Sequence, residues 1–226
     1  MFFGDATYIL IIPAMILALI AQAMVQRAFS TQSRVRARRG LSGAEAAAAI
    51  LRSNGLAAIE IEPQRGSLTD HYDPRARRIR LSEPVYGGTS LAAVGVAAHE
   101  VGHALQDASG YLPLRFRHGL LGPAQIGSTL AWPLAIAGLL MGSNQLLDAG
   151  ILLFSGAVLF HVVTLPVELN ASQRALAQLT RSGILAEDEI PGARSVLRAA
   201  ALTYIAAAAV AVMNLIRLLV LRDNRD

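Results

Sequence analysis

The chain has 226 residues, 54 % of them hydrophobic, and a formal net charge of +4 at pH 7. Its mean hydropathy of +0.45 and its long apolar runs exclude an ordinary soluble domain and indicate a membrane protein. Disulfides and thiolate metal sites are excluded by the absence of cysteine. The basic residues are all arginine and cluster beside the apolar runs, which fits orientation in a bilayer and gives no sign of a nucleic-acid partner.

The first apolar run, about 6–25, is close to the ~20 residues that a helix needs to cross a ~30 Å hydrocarbon core. No arginine stands in residues 1–5, so the run reads as an anchor and not as a cleaved signal peptide. A polar stretch, about 26–118, opens on the basic arm RAFSTQSRVRARRG. In LSGAEAAAAILRSNGL, Ser42 caps a short helix, Glu45 completes a capping box, and Gly55 ends it. AAIEIEPQRGSLTDHYDP alternates briefly and breaks at proline and glycine, which predicts a strand and a turn, and ARRIRLS predicts another short strand. TSLAAVGVAAHEVGHALQDASG predicts a helix from near Ser90 to Gly110, and its small residues suit close packing on neighbouring helices. Further apolar runs at about 120–141, 146–166 and 199–221 give four spans in all, with Pro13, Pro123 and Pro133 expected to kink them. The expected fold is mainly α: a polytopic membrane protein of about four transmembrane helices with a small cytoplasmic α+β region.

Orientation follows from the arginines. Arg27, Arg34, Arg36, Arg38 and Arg39 follow the first span, and Arg115 and Arg117 precede the second. Arg174 and Arg181 follow the third, Arg194 and Arg198 precede the fourth, and the turn GSNQLLDA has none. The positive-inside rule places 26–118 and 168–198 in the cytoplasm and both termini outside. The tail RDNRD, with two arginines beside two aspartates, argues weakly the other way.

His99, Glu100 and His103 spell H-E-x-x-H. Residues four apart share a helix face, so both imidazoles can meet one Zn²⁺. Zinc lowers the pKa of a bound water to roughly 7, and Glu100 stands where it can take the proton as that water attacks a peptide carbonyl. Only ~0.004 matches are expected by chance in a chain of this length and composition. The bland alternative is two buried histidines on a packing helix. A catalytic zinc needs a third protein ligand, and no third histidine follows closely, unlike the metzincin pattern. Glu168 in TLPVELNAS and Asp148 in LLDAG compete for that role. Two crossings after the H-E-x-x-H helix return the chain to the same side at Glu168, whereas Asp148 lies one crossing away. Glu168 is therefore the expected ligand; a helix-end carboxylate paired with Arg174 is its alternative.

The blocks DHYDP, RLSEPVYGGTSLAAVGVAAHEVGHALQ and LPVELNASQRAL resemble the YugP-type membrane zinc metallopeptidase family, from about Gly40 to Leu221. The resemblance implies a bacterial, membrane-embedded zinc endopeptidase. Glu168 followed by Ala171 is also similar to the E-x-x-A-D motif of HtpX-like and CAAX-processing membrane peptidases, whose acid falls at Ser172 here. That departure leaves Asn170, Ser172 and Arg174 as candidates to support the ligands from behind.

His71, between Asp70 and Asp73, suggests a second metal or a substrate-contacting loop, although these residue types also simply make turns. Arg78, Ile79, Arg80 and Leu81 suggest an exposed edge strand that pairs with extended substrate, the alternative being an ordinary two-sided strand. His161, inside the third span, is either functional or a hydrogen-bonded packing residue. Taken together, 1–226 is read as a single domain of the bacterial inner (cell) membrane, with a cytoplasmic catalytic region of about 26–118 plus 168–198. One zinc ion per chain is expected, with membrane proteins or peptides as substrate and the lipid bilayer as partner. A site-2-type intramembrane protease using Asp148 is a competing reading, as is a non-catalytic membrane scaffold with structural zinc. Transport has little support, since charges inside the spans are nearly absent.

Overall fold

A computed structural model describes residues 6–224. Residues 1–5, on which the anchor reading rests, and Arg225 and Asp226 of the RDNRD tail lie outside the described residues. A 3₁₀ turn, Ala6–Leu10, leads into α1 (Ile12–Ser33) and α2 (Gly43–Ser53). Then come β1 (Glu60–Gln64), β2 (His71–Asp73), β3 (Arg78–Ser82), the single-turn α3 (Glu83–Tyr86) and α4 (Leu91–Ala108). Three long helices complete the chain: α5 (Leu112–Met141), α6 (Asn144–Arg181) and α7 (Ile190–Asp223). The fold is mainly helical. The segments Thr7–Ser33, Leu112–Met141, Asn144–Arg181 and Ile190–Asp223 are long and apolar enough to cross a membrane; α4 is not among them.

Local chemistry accounts for the helix ends. Ser42 Oγ accepts the Glu45 N–H at 3.2 Å, and the Glu45 carboxylate accepts the Ser42 N–H at 2.8 Å, which closes the capping box at α2. Ser90 Oγ accepts the Ala93 N–H at 3.2 Å to start α4. Gly55 and Gly110 follow α2 and α4 at φ 72° and 64°, a conformation that costs glycine little. Pro13 differs from expectation: it lies in the first turn of α1, where its missing N–H has no helical partner to lose, so it starts the helix and does not kink it. Pro123 and Pro133 lie inside α5, and Pro166 inside α6.

The described chain forms two compact units. The first runs to Gln22 and includes Leu112–Pro166 and the chain from Leu202. Its helices approach through glycine: a Cβ at Gly138 would lie 2.5 Å from the Leu147 nitrogen, and one at Gly150 would lie 2.8 Å from the Ala135 nitrogen. Close backbone approach of this kind replaces the hydrophobic drive that lipid surroundings remove. Arg217 is an exception to the apolar reading of the spans. It is 5 % exposed, its guanidinium lies 3.7 Å from the Tyr8 ring centroid, and its Nε donates to Thr7 Oγ1 at 3.1 Å.

The second unit comprises Ala23–Tyr111 and Val167–Ala201. It holds α2, the sheet, α3, α4, the end of α6 and the start of α7, around a core that includes Ile50, Ile79, Leu81, Val94, Val101 and Leu179. The sheet order is β1-β3-β2, with β1 parallel and β2 antiparallel to β3. The expected exposed edge at Arg78, Ile79, Arg80 and Leu81 is therefore overturned: β3 is the central strand. Ile79 and Leu81 are 0 % exposed, beneath the core helices. On the other face Arg78 pairs with Glu60 and Glu62 of β1, while Arg80 pairs with Glu62 and with Asp73 of β2. Acids on both flanks hold the strand in the middle.

Small residues let α4 lie against α6 and α7. A Cβ at Gly95 would touch the Ala193 side chain at 3.3 Å, and one at Gly102 would lie 2.4 Å from the Ala171 carbonyl oxygen. Gly102→Ala is therefore expected to cost about 1–3 kcal/mol through overpacking and to weaken zinc retention. Thermal unfolding and zinc content check this; a variant that melts with the parent would show that the contact is slack.

Candidate metal centre

His99 and His103 lie one helical turn apart on α4, and Glu168 faces them from α6. His99 Nε2 is 3.2 Å from Glu168 Oε2, and His103 Nε2 is 3.6 Å from the same oxygen. The two imidazole rings meet edge to face at 4.8 Å between centroids. Among the described residues this is the group of metal-ligating side chains that converges, with one atom from each lying within 4.8 Å of the others. Tetrahedral zinc with bonds of about 2.0–2.2 Å holds its ligand atoms about 3.3–3.6 Å apart. The two imidazoles and one carboxylate fit zinc in donor type, and the two histidine–Glu168 separations fit its spacing.

The far side of each ring is also held. Gln106 Nε2 faces two oxygens, the Val167 carbonyl at 2.8 Å and Asn170 Oδ1 at 3.1 Å. That orientation turns Gln106 Oε1 to His103 Nδ1 at 3.1 Å, so Nδ1 carries the proton and Nε2 keeps its lone pair for a metal. Ser172 Oγ lies 3.2 Å from His99 Nδ1 and can do the same for that ring. Arg174 donates to Asn170 Oδ1 at 2.8 Å and to the Leu105 carbonyl at 3.3 Å, and it lies over the Tyr111 ring. It thereby holds Asn170 in place and is not the partner of Glu168 in an ion pair.

Glu100 is 6 % exposed. Burial pushes its carboxyl up to about 7; the nearby Glu168 and Asp70 charges add to this, while His99 and a hydrogen bond from the Tyr72 main chain oppose it. Asp70 is occupied by Ser82, whose N–H donates to it at 2.7 Å. His71 lies on β2, with Nδ1 donating to the Thr69 carbonyl at 2.9 Å and Nε2 3.5 Å from Arg80. Asp73 accepts the Arg75 and Ala76 N–H groups. The DHYD segment is thus a short strand closed by a turn, and no metal-binding group forms there among the described residues. Asp148 is paired with Arg222 at 3.1 Å, within the first unit.

Gln106 is the supporting residue that the sequence pattern did not single out. It is 0 % exposed, and the available signal was its place three residues after His103, on the same face of α4. The Tyr72 main chain had no signal at all, because β2 reads as a turn.

A membrane-type helical protein with H-E-x-x-H on one helix and a glutamate from a second helix defines a zinc-metallopeptidase class. Comparison with known proteins agrees. Residues 7–223 match the family described as "Putative neutral zinc metallopeptidase", and the chain belongs to that family. It is 47 % identical over 218 residues to "Putative membrane protease YugP" of Bacillus subtilis (strain 168), covering 96 % of this chain and 97 % of that relative. No solved structure matches the chain.

Proposed function

We propose that the protein is a zinc-dependent endopeptidase of the bacterial inner membrane that cuts membrane proteins, or their exposed tails, at the cytoplasmic surface. The convergence of His99, His103 and Glu168 beside the buried Glu100 carries this reading. His99 and His103 offer their Nε2 lone pairs and Glu168 its carboxylate as zinc ligands. Bound zinc supplies Lewis acidity to the peptide carbonyl and acidifies water. Glu100 accepts the proton of the attacking water and returns it to the departing amine. Extended substrate is aligned by the edge strand β2, which packs against α4. In this role β2 replaces β3.

Four apolar segments keep the enzyme with substrates that share its bilayer, and the arginine distribution supports a cytoplasmic centre. The test is cleavage of a membrane-protein substrate in liposomes. Activity should vanish with a zinc chelator and return on adding about one zinc per chain; a zinc-loaded protein that cuts no substrate would end the proposal. Orientation has its own measurement. Cysteines at Ser53 and Ser182 should be labelled from the cytoplasm and one at Ser143 from the opposite side. Labelling of Ser53 and Ser182 from different sides would reject the orientation.

A further inference from the structure

The groove between the end of α6 and the start of α7 has a volume of about 670 Å³. Leu176, Ala177, Leu197 and Ala201 give it an apolar wall, and Arg181, Arg194 and Arg198 line it as well. All three arginines are exposed. None of them makes an ion pair or a side-chain hydrogen bond among the described residues. Other arginines of this unit are engaged: Arg38 with Asp188, Arg78 with Glu60, and Arg174 with Asn170. Of the three acids between Arg181 and Arg194, Asp188 and Glu189 turn to Arg38, and Glu187 makes no ion pair with the groove arginines. Three uncompensated cations around one apolar trough make a local positive potential that recruits an anionic chain.

We propose that this groove receives an acidic stretch of the substrate polypeptide, an inference that rests on the endopeptidase reading. Ser172 lines the groove and meets His99 at Nδ1, the ring nitrogen turned away from Glu168, so the groove runs behind the candidate metal centre. From Ser172 to Arg181 an α-helix rises about 13.5 Å, the length of about four extended residues. A chain lying along α6 in this groove lays apolar residues on the leucines and brings its next carboxylates to the arginines. Phospholipid headgroups can reach Arg198, which directly precedes the fourth apolar run, but not the Arg181 end of the groove. From Pro166, where the apolar run ends, to Arg181 the helix rises about 22 Å, or about 17 Å along the membrane normal even at a tilt of about 40°. The headgroup layer is only about 5–8 Å thick.

The test uses the full chain, zinc-loaded and carrying Glu100→Gln, in nanodiscs of zwitterionic lipid. The probe is a fluorescein-labelled peptide with four apolar residues followed by Asp-Glu-Asp, compared with its Asn-Gln-Asn twin. The acidic peptide is expected to bind about tenfold tighter at low salt, as three exposed charge pairs would give. The advantage should disappear in R181E/R194E/R198E and shrink at high salt. Equal binding of the two peptides, or an acid preference that survives the triple substitution, overturns the proposal. So does a triple variant that binds peptide normally and loses only co-purified anionic phospholipid. The active protein, given a proteome-derived peptide library, separates the two levels. Cuts without nearby acids reject the groove and leave the protease; acid-selective binding with no cuts rejects the protease and leaves the groove.

Discussion

Glutamine in place of Glu100 is expected to leave a folded protein that keeps its zinc and loses proteolysis by a factor of about 10² to 10⁴, the scale of a lost general base. The substitution preserves size, and the amide oxygen can still accept the Tyr72 N–H that the carboxylate accepts. Stability should not fall, because a buried carboxyl held near 7 is already a strained place for a charge. Zinc should stay because Glu100 is not in the converging ligand group. Metal content and cleavage of a membrane-protein substrate, both measured in detergent or liposomes, decide the matter. Undiminished cleavage would reject the hydrolytic mechanism and favour a scaffold with structural zinc.

Substitution of a ligand should look different. His99→Ala or His103→Ala removes one of three protein ligands, and zinc should fall from about one per chain to a small fraction of that. Glu168→Gln keeps the shape but withdraws the ligand charge, so occupancy and activity should decline together. Asp148→Asn is the useful contrast: Asp148 is engaged by Arg222 in the first unit, and its loss should leave zinc in place. Elemental analysis of the purified variants reads all four. Full zinc in both histidine variants would sink the assignment, and zinc lost from Asp148→Asn but kept in Glu168→Gln would restore the site-2-type reading.

Where a single side chain fixes a local outcome, the sequence was legible. Ser42 with Glu45 and Gly55 bounded α2, Ser90 and Gly110 bounded α4, and the H-E-x-x-H spacing put His99 and His103 in one group that could hold a metal. Glu168 could be chosen over Asp148 by counting crossings, because a bilayer turns topology into arithmetic. Sheet order was not legible. The alternation in RRIRL marks two faces but says nothing of neighbours, and β2 is three residues long, too short for a periodic signal. The supports behind the ligands were partly legible. Ser172 and Asn170 stood where a related motif keeps an acid, whereas Gln106 matters only because α4 and α6 come together at Gly102 and Ala171.

The order of the ligands along the chain has a consequence for biosynthesis. His99 and His103 are translated before α5, and Glu168 only after α5 and most of α6 have been made. A nascent chain that has emerged only as far as α5 holds two histidines and a base but no third ligand. The centre is completed only once both helices have been synthesised and the chain has come back on itself. If His99, His103 and Glu168 hold the zinc, a nascent chain or truncated product that stops short of Glu168 would be inactive, and activity would report that α4 and α6 have come together.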